Sequence, residues 1–578
     1  MPDLEVVLTE CFAELSKEYA VERVDYIPNK GERTKATVPV WKITLTANVF
    51  GRIEDIEAFI AFPREFPYML PCVIVPDERF CYLPHISVKT QKLCLYEDGV
   101  VYDSDNVYGL IRDCISKTRR WLGLYSNQDN AAEYASEINS YWTEEYEDEK
   151  ELEPHWIMLG KIPDETCELQ GYTYPVDFLG KTDKYFDQYL VCGADCDDGL
   201  FNNIKTRHNA YKLPVLFIKS LRIPSEPPFS MTGSQFIECI EEEEDKKRCV
   251  KFLDKHLGGR FLFPIGLDFM LGGVTVPKQN VFRKGFRRGF LSATDVLTKH
   301  EGRNKKLGRI KAGIYEENRM AKRTAGQLMK PQNYHIVGLG SVGSNLCYYL
   351  NGYNNAKFVL IDPDSLTVDN IGRHLLGFNY IDQQKASAVA EYLTLYRPDR
   401  KVDAIAKYLE ELSTEQINKA STIFLCTGDV MSEKWLLEKL RRKELSVPSF
   451  ILWLEPYGVS GIMIYVNPCE EDTINRLSVA AMDSFLSYCL IDHTEYESGK
   501  KLIQRDAGCN GSYALYSAND VTLFLSAMFQ HIDRLLEKPS SSKVYRWVGN
   551  IEIATQKGIQ LVADAVGLGK NNVQELLL

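Results

Sequence analysis

Three glycines in the second half of the chain, Gly338, Gly340 and Gly343, form a Gly-x-Gly-x-x-Gly pattern. A short apolar run, 334–337, precedes the pattern, and apolar residues at helical spacing follow it. Glycines at these positions permit a tight turn and a close approach of the backbone to phosphate, and the helix N-terminus supplies partial positive charge. The pattern therefore predicts a nucleotide-binding turn between a strand and a helix. The alternative is a tight turn that binds nothing.

The charged and polar residues that follow the glycines distinguish two kinds of nucleotide site. Asp362 ends the next predicted strand, where a carboxylate suits the ribose hydroxyls of a dinucleotide or of ATP. Asn370, Arg373 and Lys385 can neutralise or bind phosphate oxygens, and Asp429 ends a later predicted strand. A triphosphate with Mg²⁺ needs such cations and a carboxylate ligand for the metal, whereas a neutral nicotinamide does not. We therefore expect ATP and Mg²⁺, with a nicotinamide-dependent oxidoreductase as the alternative.

Taken together, these motifs resemble the ThiF/MoeB/E1 family of activating enzymes over about residues 310–530. The resemblance implies adenylation of the C-terminal carboxylate of a partner protein. The residues to which it assigns a role are Gly338, Gly340 and Gly343 in the turn, Asp362 at the ribose, Asn370, Arg373 and Lys385 at the phosphates, and Asp429 at Mg²⁺. It also implies an arginine ahead of the first strand, for which Arg323 is preferred to Arg319.

Cys509 is the candidate for the first acyl-carrying thiol. It lies in the segment Asp-Ala-Gly-Cys-Asn-Gly, 506–511, with no apolar neighbours that would bury it. A thiolate is a good nucleophile and its thioester remains activated, which suits transfer from an acyl adenylate. Its position also resembles that of the thiol of ThiF-like enzymes. Cys347 and Cys426, by contrast, lie in apolar runs that are typical of core thiols.

A second candidate thiol, Cys94, follows a series of short motifs near the N-terminus. A proline-rich segment at 66–71, then Pro84-His85-Ile86, then Leu93-Cys94-Leu95, resemble the order of elements in ubiquitin-conjugating (E2) domains. The resemblance covers about residues 1–145 and makes Cys94 the catalytic thiol, with a buried core thiol as the alternative. The sequence departs from the usual His-Pro-Asn motif, so the asparagine that assists attack on the thioester is missing. His85 either helps in this task or has a structural role.

The patterns that must position these residues divide the chain into three domains. Residues 1–145 open with apolar residues at helical spacing and continue with strand-like alternation at 41–49, which predicts an α+β, E2-like domain. Residues 154–304 predict a central α/β or α+β linker domain. In residues 305–578, strands alternate with helices, which predicts a doubly wound α/β adenylation domain.

The composition excludes several classes of protein. The 578 residues carry 68 Lys and Arg against 80 Asp and Glu, a net charge of −12, so wrapping nucleic acid is not expected to be the main task. The N-terminal segment has acidic residues where an export signal has basic ones. The longest apolar stretch, 447–466, is interrupted by Glu455, Pro456 and Gly458, which predicts two buried strands and no membrane span. We expect a cytoplasmic protein with reduced cysteines.

An E2-like domain ahead of an E1-like domain resembles the bacterial E1–E2 fusions that are associated with CD-NTases in CBASS antiphage operons. The resemblance implies that the activated carboxylate belongs to a cGAS-like nucleotidyltransferase, that the acyl group passes from Cys509 to Cys94 and then to an amine, and that the protein is a homodimer. A small β-grasp, ubiquitin-like protein is the alternative substrate. A scaffold whose E2 half has lost the transfer activity is the alternative function.

Overall fold

The computed structural model describes residues 4–29, 32–97, 99–143, 153–176, 186–194, 196, 210–266, 270–282, 291–324, 331–353, 356–397, 400–498, 502–505, 512–565 and 567–578. The chain divides into two units, Met1–Glu316 and Glu317–Leu578. The first unit holds an N-terminal antiparallel sheet and a closed barrel, and the second holds a large mixed sheet.

The N-terminal domain is a four-stranded antiparallel meander with helices before and after it. Its elements are the helix Leu4–Leu15, the strands Val21–Asn29, Glu32–Val49, Arg52–Ala61 and Cys72–Ile74, and the helices Val107–Tyr125, Ala131–Ser136 and Ile138–Trp142. Apolar side chains of the first helix, of one sheet face and of the helix Val107–Tyr125 form one core. The predicted helix at the N-terminus and the predicted strand at 41–49 are both confirmed.

The central domain is a closed seven-stranded β-barrel, accompanied by three helices among its described residues. Around the barrel the strands run Leu271–Val276, Gly308–Tyr315, Glu153–Leu159, Phe186–Cys192, Cys167–Val176, Tyr211–Phe217 and Gly259–Pro264. The helices are Gly233–Glu238, Glu243–His256 and Ala293–Lys299. The strand Gly308–Tyr315 therefore belongs to the barrel, whereas the domain boundary predicted at residue 304 assigns it to the adenylation domain. This strand is part of the barrel because it pairs with Leu271–Val276 on one side and with Glu153–Leu159 on the other.

The short helix Ile138–Trp142 is part of the core that covers the barrel. The Trp142 side chain is 1% exposed, and its indole N–H donates to the carbonyl of Ile310 at 3.0 Å. In return, the buried guanidinium of Arg309 donates to the carbonyls of Tyr141 and Trp142. Gly272 lies under the indole, and a Cβ at that position would come within 2.9 Å of the indole nitrogen.

The second unit is built on an eight-stranded sheet with helices on both faces. In sheet order the strands are Lys401–Ile405, Ala356–Ile361, Gln332–Val337, Thr422–Leu425, Ser449–Leu454, Ser460–Val466, Lys543–Val548 and Val573–Leu576. The first five are parallel and the last three continue the sheet in antiparallel fashion. The stretch 447–466 forms two buried strands, as predicted.

Helices cover each face of this sheet and bury a separate apolar core. Ser341–Leu350, Lys385–Tyr396 and Ala518–Glu537 pack on one face, and Val430–Arg441 and Glu471–Met482 pack on the other. Further helices are Glu317–Thr324, Thr414–Ile417, His493–Ser498 and Ile551–Lys557, and a small hairpin pairs Ile503–Arg505 with Ser512–Ala514. The doubly wound α/β prediction is confirmed. Within the described residues, no helix combines the length and the apolar character that crossing a membrane requires.

We expect Trp142→Ala to destabilise the first unit by about 3–5 kcal/mol, because it removes a buried indole and leaves a cavity beside Gly272. Tyr211→Ala is the matched control, since Tyr211 is 69% exposed on a barrel strand, and it should cost about 1 kcal/mol or less. Urea unfolding followed by circular dichroism measures both. Equal costs for the two variants would show that the helix Ile138–Trp142 is not part of the barrel core.

Candidate functional site

The glycine turn connects the strand Gln332–Val337 to the helix Ser341–Leu350. Gly338 has a positive φ of 81°, which favours glycine, and a Cβ at Gly343 would lie 1.9 Å from the Gly338 carbonyl oxygen. At Gly340, in contrast, a Cβ would meet no atom within 4 Å. Two of the glycines are therefore required by the turn itself. The third leaves open space beside the backbone, where a phosphate could approach the helix N-terminus.

Two buried side chains hold the turn in place. The Asp362 carboxylate accepts the Leu339 N–H at 2.6 Å and the Asp364 N–H at 2.8 Å. His374 accepts the Leu376 N–H at Nδ1, so its Nε2 carries the proton and donates to the Leu339 carbonyl at 2.8 Å. Burial lowers the pKa of His374 to about 4, and burial also raises the pKa of Asp362. The imidazole is therefore neutral near pH 7.

A cavity of about 600 Å³ lies beside the turn. The described residues that line it include Gly340, Ser341, Val342, Asp364, Asn370, Arg373, His374, Thr427, Gly428, Val430, Glu433, Trp453 and Tyr516. Arg373 donates to the Ala514 carbonyl at 2.6 Å, and its guanidinium lies over the Tyr516 ring at 4.6 Å. Because a guanidinium has five N–H donors, donors remain for a phosphate.

The other predicted nucleotide residues have different placements. Lys385 is 8% exposed and its ammonium donates to Asp364 at 3.0 Å, so it reaches the cavity wall through that carboxylate. Asp362 holds the backbone of the turn and is not among the described lining residues, so its role at the ribose stays a prediction. Arg323 is exposed on the helix Glu317–Thr324 and is not among the described lining residues, so its role also stays a prediction.

The predicted metal residue, Asp429, is the N-cap of the helix Val430–Arg441. Its carboxylate accepts the backbone N–H groups of Met431 and Ser432 at 3.2 Å and the Ser432 hydroxyl at 3.0 Å. Glu433 follows one turn later, is 3% exposed, and lines the cavity. Burial and the Asp429 charge raise the pKa of Glu433 to about 7. Asp429 is not among the described lining residues but lies between two of them, Gly428 and Val430, and the carboxylates of Asp429 and Glu433 are of the kind that Mg²⁺ prefers.

The second candidate site surrounds Cys94, which is exposed while Leu93 before it belongs to the core. The Cys94 N–H donates to the His85 carbonyl at 2.8 Å, so the two residues lie on adjacent segments. Both line an open cavity of about 370 Å³ together with Lys117, Arg120 and other residues. The alternative of a buried core thiol does not agree with this exposure. Cys509 lies outside the described residues, so its role stays a prediction.

Carboxylates flank both ring nitrogens of His85. Nε2 lies 3.0 Å from a Glu133 oxygen, and Nδ1 lies 3.7 Å from a Glu137 oxygen. The loop that carries His85 is fixed from the other side by Trp121, whose indole N–H donates to the Pro84 carbonyl at 2.7 Å. His85 is therefore held at the wall of the thiol cavity by Glu133 of the helix Ala131–Ser136, by Glu137 just after that helix, and through Pro84 by Trp121 of the helix Val107–Tyr125.

Sequence reasoning missed the roles of several residues. His374 stands within the recognised motif, but its contact with Leu339 depends on how the chain folds. The carboxylates that contact His85 come about 50 residues later in the chain, and no spacing rule connects them. Glu433 carried a usable signal, because a residue four positions after a helix-capping aspartate lies on the same helix face.

Comparison with known proteins identifies two regions of the chain. Residues 318–447 match the ThiF family, and residues 34–150 match prokaryotic E2 family B. These matches contain the glycine turn and Cys94, respectively. They confirm the resemblance to an E1–E2 fusion that the motifs indicated.

Individual relatives match parts of the chain. An ATP-dependent ubiquitin transferase-like protein Cap2 from Pseudomonas aeruginosa is 28% identical over 133 residues, which are 22% of this chain and 23% of the relative. The sulfur carrier protein ThiS adenylyltransferase of Escherichia coli is 24% identical over 139 residues, 24% of this chain and 54% of the relative. A crystal structure of E. coli MccB with ATP has a TM-score of 0.28 at 13% identity, covering 55% of this chain and 80% of that one. The chain thus spans about a quarter of the Cap2 protein that it matches.

We expect the stabilising effect of His374 to depend on pH. Its folded pKa of about 4 lies below the ordinary value of 6.5, so the stability from the neutral ring is present above pH 6.5 and is lost as pH falls towards 4. The cost of His374→Gln should therefore be about 1–2 kcal/mol smaller at pH 5 than at pH 7. Urea unfolding of both proteins at several pH values measures this difference. A cost that does not change with pH would contradict a neutral His374.

Proposed function

We propose that this chain, in which an E2-like and a ThiF-type region are joined, activates the C-terminal carboxylate of a partner protein with ATP and transfers it through thioesters to an amine. One observation carries this proposal: the same chain holds a glycine-turn cavity with buried charges and, in its E2-like domain, an exposed thiol at the wall of a second cavity. The first site suits adenylation and the second suits acyl transfer.

In the first step, an oxygen of the partner's carboxylate attacks the α-phosphorus of ATP. A P–O–C anhydride bond forms, the bond from the α-phosphorus to the bridging oxygen breaks, and pyrophosphate leaves. The turn residues present backbone N–H groups to the phosphates, and Arg373 and Lys385 offset their charge. Asp429 would hold the Mg²⁺, which supplies charge neutralisation on the phosphates when it is bound. Asp362 and His374 keep the turn in the shape that these contacts need.

In the relay, the Cys509 thiolate attacks the acyl carbon and AMP leaves. The Cys94 thiolate then attacks the resulting thioester, and the Cys509 thiolate leaves. Finally an amine of the acceptor attacks at Cys94, an amide forms, and the Cys94 thiolate leaves. The exposure of Cys94 supports the last step, because a protein amine must reach it.

The resemblance to E1–E2 fusions of CBASS operons implies a cGAS-like nucleotidyltransferase of the CD-NTase type as the partner, and the similarity to the ubiquitin transferase-like protein Cap2 agrees with such a fusion. The alternative partner is a small ubiquitin-like protein, and a third possibility is a scaffold that retains the E2 fold without transfer. We also propose a homodimer that acts in the cytoplasm, as the E1-like resemblance implies. The ThiF match favours ATP chemistry over the nicotinamide alternative.

We expect Asp429→Asn to reduce ATP–pyrophosphate exchange by at least about 100-fold, because a metal ligand supports several kcal/mol of charge stabilisation. Asparagine is also a good N-cap, so the helix Val430–Arg441 should stay intact, whereas Asp429→Ala removes both functions. Asp472→Asn, an exposed first-turn acid on another helix, is the control and should exchange at the wild-type rate. Wild-type exchange by Asp429→Asn, with the partner protein present, would remove Asp429 from the metal site.

We expect Cys509→Ala to retain ATP–pyrophosphate exchange but to form no thioester on either thiol. Adenylation needs only ATP, Mg²⁺ and the carboxylate, whereas loading of Cys94 needs an intermediate carrier. Non-reducing gels with radiolabelled partner protein detect the thioesters, and Cys469→Ala is the control, since Cys469 is an exposed thiol outside both sites. Loading of Cys94 in the Cys509→Ala protein would mean direct transfer from the adenylate.

We expect Cys94→Ala to accumulate the Cys509 thioester and to form no conjugates, because Cys94 is the last thiol before the amine. A mixture of Cys94→Ala and Cys509→Ala proteins tests whether the two thiols act from separate chains, and conjugates would return if they do. Gel analysis of a time course measures both species. Conjugates formed by Cys94→Ala alone would favour the scaffold function for the N-terminal half.

A further inference from the structure

Glu433 is a buried carboxylate for which the structure provides no partner. Its side chain is 3% exposed, and it makes no hydrogen bond or ion pair with any of the described residues. The charge of Asp429, which acts on it, has the same sign. Buried carboxylates are normally paired or bound to a metal, because leaving one unpaired is costly. Glu433 therefore requires an explanation.

The helix geometry directs this carboxylate towards the nucleotide cavity. Asp429 caps the helix Val430–Arg441, and Glu433 is four residues later, on the same helix face. Helical side chains also incline towards the helix N-terminus, which here lies at Gly428 and Val430 on the cavity wall. Accordingly, Glu433 lines the cavity while most of its surface is buried by the protein.

Asp429 and Glu433 differ in how much of their hydrogen-bonding capacity is already used. Asp429 accepts three hydrogen bonds from the first turn of the helix, from Met431 and Ser432. Glu433 accepts none from the described residues. The pair thus offers one carboxylate that is fixed by the fold and one whose oxygens are free for a ligand.

The cations of the cavity do not neutralise Glu433. Arg373 donates to the Ala514 carbonyl, and Lys385 donates to Asp364. A triphosphate in the same cavity would add negative charge beside Glu433 and Asp429. Such an arrangement is unfavourable unless a cation lies between the carboxylates and the phosphates, and a divalent ion with oxygen ligands meets this requirement.

We infer that Glu433 is a second carboxylate ligand, beside Asp429, for the divalent cation that accompanies the nucleotide. The inference rests on the proposed adenylation function and extends it. Glu433 makes nucleotide binding dependent on the metal: with the cation it contributes a ligand, and without the cation it repels the phosphates.

The test measures binding without turnover, on the full chain and without the partner protein. The probes are α,β-methylene-ATP, which cannot release pyrophosphate, and Mn²⁺, whose free concentration is read by electron paramagnetic resonance. Glu433→Gln keeps the side-chain volume and removes the charge. Glu438→Gln is the matched control on the same helix, because Glu438 pairs at the surface with Arg441 and Arg442.

We expect Glu433→Gln to lower the Mn²⁺ affinity of the nucleotide-bound protein by at least fivefold, and to bind the analogue in EDTA as tightly as the wild type or more tightly. Glu438→Gln should match the wild type in both measurements. Because the substitution removes a buried unpaired charge, the melting temperature without ligands should equal or exceed that of the wild type. Glu433→Asp, which retains the charge on a shorter side chain, replaces Glu433→Gln if the latter fails to fold.

A change of less than fivefold in Mn²⁺ affinity, in protein that binds the analogue normally, would overturn the role of Glu433 and leave the adenylation proposal standing. If the wild-type chain binds the analogue neither with Mg²⁺ nor in EDTA, the nucleotide site itself is wrong and the inference fails with it. The two failures are therefore distinguishable.

Discussion

The close approach of Gly343 to the Gly338 carbonyl is the constraint on which the nucleotide cavity depends. Any side chain at Gly343 would place its Cβ 1.9 Å from that oxygen, so the helix Ser341–Leu350 can begin where it does only with glycine at this position. The turn is then fixed by side chains from the next segments, since Asp362 and His374 bind the N–H and the carbonyl of Leu339, respectively. Contacts within the protein thus fix the shape of the turn, which reduces the ordering cost of ligand binding.

Charge is distributed around this cavity in two ways. The cationic side chains are held by protein acceptors, as Arg373 is by the Ala514 carbonyl and Lys385 is by Asp364. The buried carboxylate of Glu433, in contrast, has no partner among the described residues. A cavity of this kind is complementary to a ligand that carries both phosphates and a cation, and less so to either alone. This difference between the paired cations and the unpaired carboxylate arises from residues that lie far apart in the sequence.

Patterns among neighbouring residues predicted the helices and strands well. The features that were not predicted depend on contacts between residues far apart in the chain. The glycine spacing and the strand ends located the turn and the sheet, because both depend on neighbouring residues. The barrel boundary was not predictable from local pattern, since Gly308–Tyr315 belongs to the barrel through its pairing with Leu271–Val276 and Glu153–Leu159. The surroundings of His85 were hidden for the same reason, because Glu133 and Glu137 come about 50 residues later in the chain.

The two candidate sites differ in exposure in the way that the proposed chemistry requires. An acyl adenylate is a reactive anhydride, so the site that forms it benefits from buried charges and restricted water. The nucleotide cavity is lined by Glu433, His374 and Asp364, and the first two of these charged or polar side chains are buried. A thioester at Cys94 must instead meet an amine on another protein, and its thiol is exposed at an open cavity. Without the usual asparagine, the groups that can act on that thioester are those of the cavity wall, where His85 is held between two carboxylates and Arg120 lines the cavity. In the proposed function, the charged side chains around this cavity would take the place of the missing asparagine amide.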